Sequence, residues 1–153
     1  MASTKVILTS VHGRALGISA DSKLVLWGRT VPSMDDAGVF VGVQAAPGAL
    51  NTTGTLTAAL LKSGILLSST PAGVTGTFDT GANIDAAFTG KQALSVNDAF
   101  DLHVINTGVA NTFTVATASG VTAVGSLVVN ASTSGKFRIR KTSAGNFVVY
   151  RIA

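Results

Sequence analysis

The densest group of ionisable side chains lies in the stretch SGKFRIRKTSAGNFVVYRI, at positions 134–152. This stretch carries five of the eleven lysines and arginines, and Lys136, Arg138 and Arg140 alternate with apolar residues. Because successive side chains of a β-strand point to opposite faces, the spacing predicts a row of three cations on one face of a sheet. Such a row can bind anionic groups, or it can be a solvated face or a charged edge that resists mispairing.

A protein surface is favoured over a nucleic acid as a partner of this row. Proteins that bind single strands place aromatic side chains among the basic residues of the exposed face. Here Phe137 and Ile139 are expected to point the opposite way, into a core, and an RRM-type aromatic motif is missing. We expect no nucleic-acid partner. A solvated face and a partner-facing basic stripe both stay open as interpretations.

A second candidate is the pair Asp101 and His103, which a strand would place on one face. Such a pair could begin a metal site or act as a general acid–base couple. One strand supplies only two ligands, however, and no nucleophile motif such as G-x-S-x-G accompanies the pair. The sequence also has neither cysteine nor glutamate. We therefore expect no enzyme, no metal site and no cofactor.

Two further motifs have the wrong spacing for ion binding. MDDAG (34–38) holds paired carboxylates but lacks the alternating acids and closing glutamate of a calcium loop, which favours a loop or a helix cap. SGVTAVGS (119–126) holds glycines but no following lysine and helix that would cradle a phosphate.

The composition favours β-structure with an unusually uncharged surface. Hydrophobic residues make up 46% of the chain and charged residues only 12%, a balance typical of surfaces that other subunits cover. Threonine, valine and phenylalanine favour strands, while the 17 glycines supply turns. No run of apolar residues is long enough to span a membrane, so we expect no membrane partner.

The first third of the chain differs from the rest. Its β-like runs, such as KLVLWG (23–28), are short and separated by turn-rich segments, so they are not expected to form an independent core. Residues 1–50 are interpreted as an extended N-terminal arm that crosses the domain or a neighbouring subunit. Trp27, the only tryptophan, is either a core residue or, with Phe40, an anchor in a neighbour's pocket.

Residues 51–153 have the pattern of a β-domain with one or two short helices. LTAALLKSG (56–64) predicts a helix with a threonine cap at its start and Gly64 after its end, and TGANIDAAFTG (80–90) predicts another short capped helix that ends near Gly90. We predict an all-β, jelly-roll-like antiparallel β-sandwich, because short strands recur at regular spacing.

Within this domain, VTAVGSLVV (121–129) is the most apolar strand candidate. It is predicted to be a central strand, with a bulge at Gly125. The other predicted strands of this domain are ILLSST (65–70), VTGTFD (74–79), DAFDLHVIN (98–106), FTVAT (113–117), KFRIRK (136–141) and FVVYRI (147–152).

The stretch FDLHVINTG…FTVATASGVTAVGS…VVNASTSGKFRIRKTSAGNFVVYRI resembles the small jelly-roll cement or decoration proteins of tailed-phage heads, and related phage head and fibre domains. The likeness covers roughly the last hundred residues. Its recurring elements fall at Leu56–Ile65, Ala82–Ala87, Asp98–Gly108, Gly120–Ser126 and Gly135–Ile152.

The resemblance implies a structural protein of the virion that binds the outside of the capsid and ties neighbouring major capsid proteins together. It also implies assembly in the host cytoplasm and a homo-oligomer, with a trimer expected rather than a dimer. Trp27, Phe40 and the row Lys136, Arg138 and Arg140 would then contact these partners, and the arm could add strands to a neighbour's sheet.

An alternative within the same resemblance is a head-fibre or tail module that binds a receptor or glycan. That function needs an exposed aromatic platform, and the chain has only one tryptophan and one tyrosine.

Overall fold

The computed structural model describes residues 44–69, 72–89 and 93–153 in full, and within residues 1–43 only the backbone of six short strands. The chain divides into two compact units, Met1–Gln44 and Ala45–Ala153. The second unit thus begins slightly before the boundary predicted at residue 51, because the strand Gly48–Ala49 pairs with a strand of the second unit.

The described strands of the first unit pair with each other. The first four form an antiparallel sheet in chain order, and the last two form a separate antiparallel pair. The extended arm stays a prediction. Trp27 lies outside the described residues, and Phe40 is described only through its backbone, opposite Met34. The strands are β1 Leu8–Thr9, β2 Ala15–Ile18, β3 Leu24–Leu26, β4 Arg29–Thr30, β5 Ser33–Met34 and β6 Phe40–Val41.

The second unit contains two β-sheets and two short helices, so the predicted β-domain with one or two short helices is confirmed. The two sheets are compatible with the predicted sandwich. Its elements are β7 Gly48–Ala49, β8 Gly54–Leu56, α1 Ala58–Ser63, β9 Ile65–Ser68, β10 Val74–Phe78, α2 Gly81–Ala87, β11 Ala99–Asn106, β12 Phe113–Ala116, β13 Val121–Val124, β14 Val128–Val129, β15 Thr133–Ser143 and β16 Asn146–Arg151.

Strands β7 to β14 alternate strictly between the two sheets. The six-stranded sheet has the order β13-β16-β15-β11-β9-β7, and the four-stranded sheet has the order β14-β12-β10-β8. Neighbours β7, β9 and β11 are parallel, as are β8, β10 and β12, so the chain winds from one sheet to the other and back. The predicted antiparallel pairing is therefore wrong for these strands. Because a jelly roll is built from antiparallel pairs, the predicted jelly-roll topology is not confirmed.

One apolar core lies between the two sheets. Alternation along the strands places Phe78 and Phe113 of one sheet and Leu102 and Phe137 of the other in this core, each nearly or fully buried. The helices connect the four-stranded sheet back to the six-stranded one. Each contributes to the same core, through Leu61 of α1 and Ile84 of α2.

The helix ends follow local rules. Thr57 caps α1 by accepting a hydrogen bond from Leu60 N, and Gly64 follows it with a left-handed φ of 72°, as predicted. The second helix is capped by Thr80 but ends at Ala87, with Phe88 extended. Its end is therefore earlier than predicted, and Gly90 lies outside the described residues.

The prediction of a central strand over 121–129 is wrong. Gly125 has a φ of 93°, and a Cβ at this position would lie 2.9 Å from Arg151 Cβ, so the chain turns there. The two halves become the edge strands β13 and β14 of different sheets. A shift in register does occur, but between Lys141 and Ser143 of β15.

Candidate functional site

The basic row lies on the outer face of the six-stranded sheet. Phe137 and Ile139 are fully buried, so Lys136, Arg138 and Arg140, which alternate with them along β15, point away from the core. The predicted arrangement of these five side chains is confirmed. We call Lys136, Arg138 and Arg140 the basic row.

Strand β11 places Asp101 against this row. Its antiparallel register sets Asp101 opposite Arg138 and His103 opposite Lys136. Arg138 binds Asp101 through two hydrogen bonds, Nε to Oδ1 at 2.7 Å and Nη2 to Oδ2 at 2.9 Å. Lys136 Nζ lies 3.1 Å from Asp101 Oδ2. One carboxylate therefore holds two cations in place.

The same contacts determine the charge state of Asp101. Hydrogen bonding from Arg138, with a further contribution from Lys136, outweighs partial burial and lowers the pKa of Asp101 from 3.8 to about 2. The carboxylate is thus ionised throughout the neutral pH range and stays bound to Lys136 and Arg138. It is poorly suited to act as a general base, which needs a pKa close to the working pH.

Arg140 has different partners. Its Nη1 donates to Asn97 Oδ1 at 2.8 Å and its Nη2 donates to Tyr150 OH at 3.2 Å. Both partners are neutral. Asn97 and Tyr150 could not be predicted from the sequence, because their proximity to Arg140 depends on a loop and a strand register that no local pattern specifies.

Apolar side chains flank the basic row on the outer face. Val124 of β13, opposite Tyr150, is 56% exposed, and Ile152, just past the end of β16, is 51% exposed. Leu67 of β9 lies on the other side of the row and is 36% exposed. The face therefore combines accessible apolar groups with fixed charges, which is the usual composition of a protein-binding surface.

The other two basic residues of the stretch do not join this face. Lys141 binds Asp85 of α2 at 2.6 Å. Arg151 donates to Val128 O at 3.0 Å, and its guanidinium carbon lies 5.0 Å from the centre of the Phe137 ring. Of the five cations in the stretch, three form the exposed row and two bind within the unit.

In residues 44–69, 72–89 and 93–153, no group of three or more His, Cys, Asp or Glu side chains is arranged to hold a metal ion. A shallow cavity of about 450 Å³ is lined by three alanines, Gly145 and Asp85, and this carboxylate already binds Lys141 and Gly145 N. Asp35 and Asp36 of MDDAG lie outside the described residues, and SGVTAVGS forms β13 with its flanking turns.

No family model, curated protein or solved structure matches the chain. In the part that the structure describes, no helix combines the length and apolar character that crossing a membrane requires.

Proposed function

We propose that this protein is a capsid decoration, or cement, protein of a tailed bacteriophage, which binds the outer capsid surface and stabilises contacts between major capsid proteins. It is assembled in the host cytoplasm, resides on the capsid exterior and has no enzymatic activity. One observation carries the proposal: the outer face of the six-stranded sheet exposes Val124 and Ile152 beside a row of positioned cations. The sequence resemblance points to the same function.

The geometry of this face suits binding to another folded surface. A sheet face is broad, and its side chains are carried by strands instead of mobile loops, so no loop has to be ordered on docking. Exposed apolar area supplies affinity, while the basic row favours acidic partners and a defined orientation. The proposal requires this exposed face and does not depend on jelly-roll connectivity.

Self-association has support from the edge strand β13. Its residues Thr122, Ala123 and Val124 are exposed and uncharged, and no further described strand pairs with its outer edge. Proteins normally protect such an edge with charge, proline or a covering segment. Copies that each carry a net charge of +4 repel one another, so an uncharged edge is a favourable place for them to meet. We propose a homo-oligomer, with a trimer expected from the resemblance.

Binding to stripped phage heads tests the main proposal. The full chain is mixed with a panel of expanded tailed-phage heads whose surface proteins have been removed, and the heads are then sedimented. We expect saturable co-sedimentation at a fixed number of copies per capsomer. If no head binds the chain while a glycan array does, the proposal is wrong and the receptor- or glycan-binding alternative replaces it.

The oligomer has a separate test. Light scattering after size exclusion should give the mass of three chains for the wild type and of one chain for Val124→Lys. Val109→Lys is the matched control, because Val109 is 86% exposed in a loop away from β13. A monomeric wild type, or an unchanged oligomer in Val124→Lys, would contradict this arrangement.

A further inference from the structure

The three cations of the basic row differ in how they are neutralised. Lys136 and Arg138 share the carboxylate of Asp101, at 3.1 and 2.7 Å. Arg140 is next in the row, and no carboxylate of residues 44–69, 72–89 or 93–153 lies within salt-bridge distance of it. Arg140 therefore retains a full positive charge on the outer face.

Two neutral side chains hold the guanidinium of Arg140 in one position. They accept hydrogen bonds from Nη1 and Nη2, and the ring of Tyr150 lies 6.0 Å from the guanidinium carbon. An arginine has five N–H donors, so these two contacts leave three for another acceptor. The phenol of Tyr150 accepts from Arg140, which leaves its own hydrogen to donate to the same ligand.

The loop before β11 fixes Asn97 in turn. Asn97 has a left-handed φ of 75°, and its N–H donates to Lys141 O at 2.9 Å. Asp98 accepts from Lys141 N through its backbone oxygen and from Ser95 N through Oδ2, at 3.0 and 2.8 Å. The backbone that carries the Asn97 amide is thus fixed before any partner arrives, which lowers the entropic cost of binding.

We propose that Arg140 is a carboxylate-binding site whose ligand is an aspartate or glutamate side chain on the surface of a partner protein. This inference rests on the proposed function for the partner, which is then the major capsid protein. A carboxylate matches the planar guanidinium through two parallel hydrogen bonds. Asn97 and Tyr150 are positioning residues. Because Asp101 binds Lys136 and Arg138, Arg140 is the cation of the row that has no carboxylate partner among the described residues.

A protein carboxylate fits this site better than a nucleic-acid phosphate. Proteins that bind single strands combine a positively charged groove with exposed aromatic rings on which the bases stack. Among the described residues of this face, Tyr150 is the one aromatic, and it is half-buried with its hydroxyl against Arg140. Its neighbours Val124, Val148 and Ile152 are apolar, as is expected for a surface that a folded protein covers.

A peptide titration tests the site without any capsid. The full chain is titrated at low salt with a capped tetra-glutamate peptide and, separately, with tetra-glutamine, while NMR follows the backbone amide resonances of β15 and β16, which every variant retains. We expect saturable shifts with the glutamate peptide alone. Arg140→Gln should abolish them, and Arg140→Lys should weaken binding by roughly tenfold, because an ammonium cannot form the two-bonded pair.

Two further variants separate positioning from folding. Asn97→Gly suits the left-handed backbone but removes the orienting amide, so peptide affinity and the order of the Arg140 side chain should fall while the midpoint of urea unfolding stays unchanged. Lys62→Gln removes an equal charge from α1 and should leave peptide binding unchanged.

The inference is wrong if Arg140→Gln binds the peptide as well as the wild type, or if a single-stranded oligonucleotide binds Arg140 more tightly than the peptide does. Its failure is distinct from failure of the capsid proposal. If the wild type binds heads and Arg140→Gln binds them equally well, only this site is overturned. If the wild type binds the peptide but no head, only the capsid function is overturned.

Discussion

Lys141 Nζ lies 2.6 Å from Asp85 Oδ1, and this pair joins the hairpin β15–β16 to helix α2. Asp85 Oδ2 also accepts a hydrogen bond from Gly145 N at 2.9 Å, and Lys141 donates to Leu94 O at 2.9 Å. Hydrogen bonding from Lys141 and then from Gly145 lowers the pKa of Asp85 below its ordinary value. A residue that continues the basic row in sequence thus serves to hold the hairpin in place.

Replacing Lys141 tests this connection. We expect Lys141→Met to lower the free energy of unfolding by about 1–2 kcal/mol, because the pair is mostly shielded from water. The measurement is urea unfolding followed by circular dichroism. Lys136→Met is the matched control and should cost less than about 0.5 kcal/mol, since Asp101 keeps Arg138. Equal losses in the two variants would contradict a structural role for Lys141.

The Asp101 contacts predict a dependence of stability on pH. The folded pKa of Asp101, about 2, lies below the ordinary value of 3.8. The stabilisation that these contacts give the fold is therefore complete at pH values above 3.8 and is lost as the pH falls through about 2. We expect Asp101→Asn to be less stable than the wild type at pH 6, and the difference to shrink below about pH 4 and nearly vanish near pH 2.

Urea unfolding of the two proteins at a series of pH values measures that difference. In an Arg138→Gln background the effect of Asp101→Asn should be smaller at pH 6, because the largest cause of the low pKa is gone. A difference that stays constant from pH 6 to pH 2 would rule out the ionised pair as its source.

Gly81 lies where three segments of backbone meet. A Cβ on Gly81 would lie 2.1 Å from Gly145 O and 2.7 Å from Gly120 O, and neither backbone atom can rotate away. We expect Gly81→Ala to destabilise the fold by about 3 kcal/mol. At Gly73 the nearest atom would be Thr112 O at 3.9 Å, so Gly73→Ala should change stability by less than about 0.5 kcal/mol. Thermal unfolding that shifts equally in both variants would contradict the tight contact.

Asn106 is a buried polar residue that fixes two loops. Its Nδ2 donates to the carbonyl oxygens of Asn111, Val129 and Asn130, and its Oδ1 accepts from Gly108 N. Asn106→Asp would place a carboxylate among three carbonyl oxygens. We expect a loss of about 2–4 kcal/mol in the free energy of unfolding at pH 7.

The matched control for this change is Asn130→Asp, because Asn130 is exposed. We expect it to alter stability by less than about 0.5 kcal/mol in the same urea experiment. If Asn106→Asp leaves the free energy of unfolding unchanged, the hydrogen bonds that the Asn106 amide nitrogen donates contribute little to stability.

Features set by neighbouring residues could be predicted from the sequence. The caps Thr57 and Gly64 act within one helical turn, and the alternation of Lys136, Phe137 and Arg138 follows from the geometry of one strand. Both predictions are confirmed. The basic row was therefore located correctly before its surroundings were known.

Features set by contacts between distant segments could not be predicted in this way. The sequence placed Asp101 on a strand but could not set its register, so its pairing with Arg138, 37 positions away, was missed. The same limit applies to the winding between sheets, since side chains alternate between the two faces in parallel and antiparallel strands alike. At 121–129 an apolar pattern indicated one strand, whereas the left-handed Gly125 separates two.

The hairpin β15–β16 occupies the middle of the six-stranded sheet, between β13 and β11, and this position has a consequence during synthesis. The hydrophobic core includes Phe137, Ile139, Phe147 and Val149, all from the hairpin. A nascent chain that stops before residue 133 leaves one edge of β11 unpaired and lacks these four core side chains. The second unit therefore completes its folding only after residues 133–151 have been translated, and until then ribosome-associated chaperones have an apolar surface to bind.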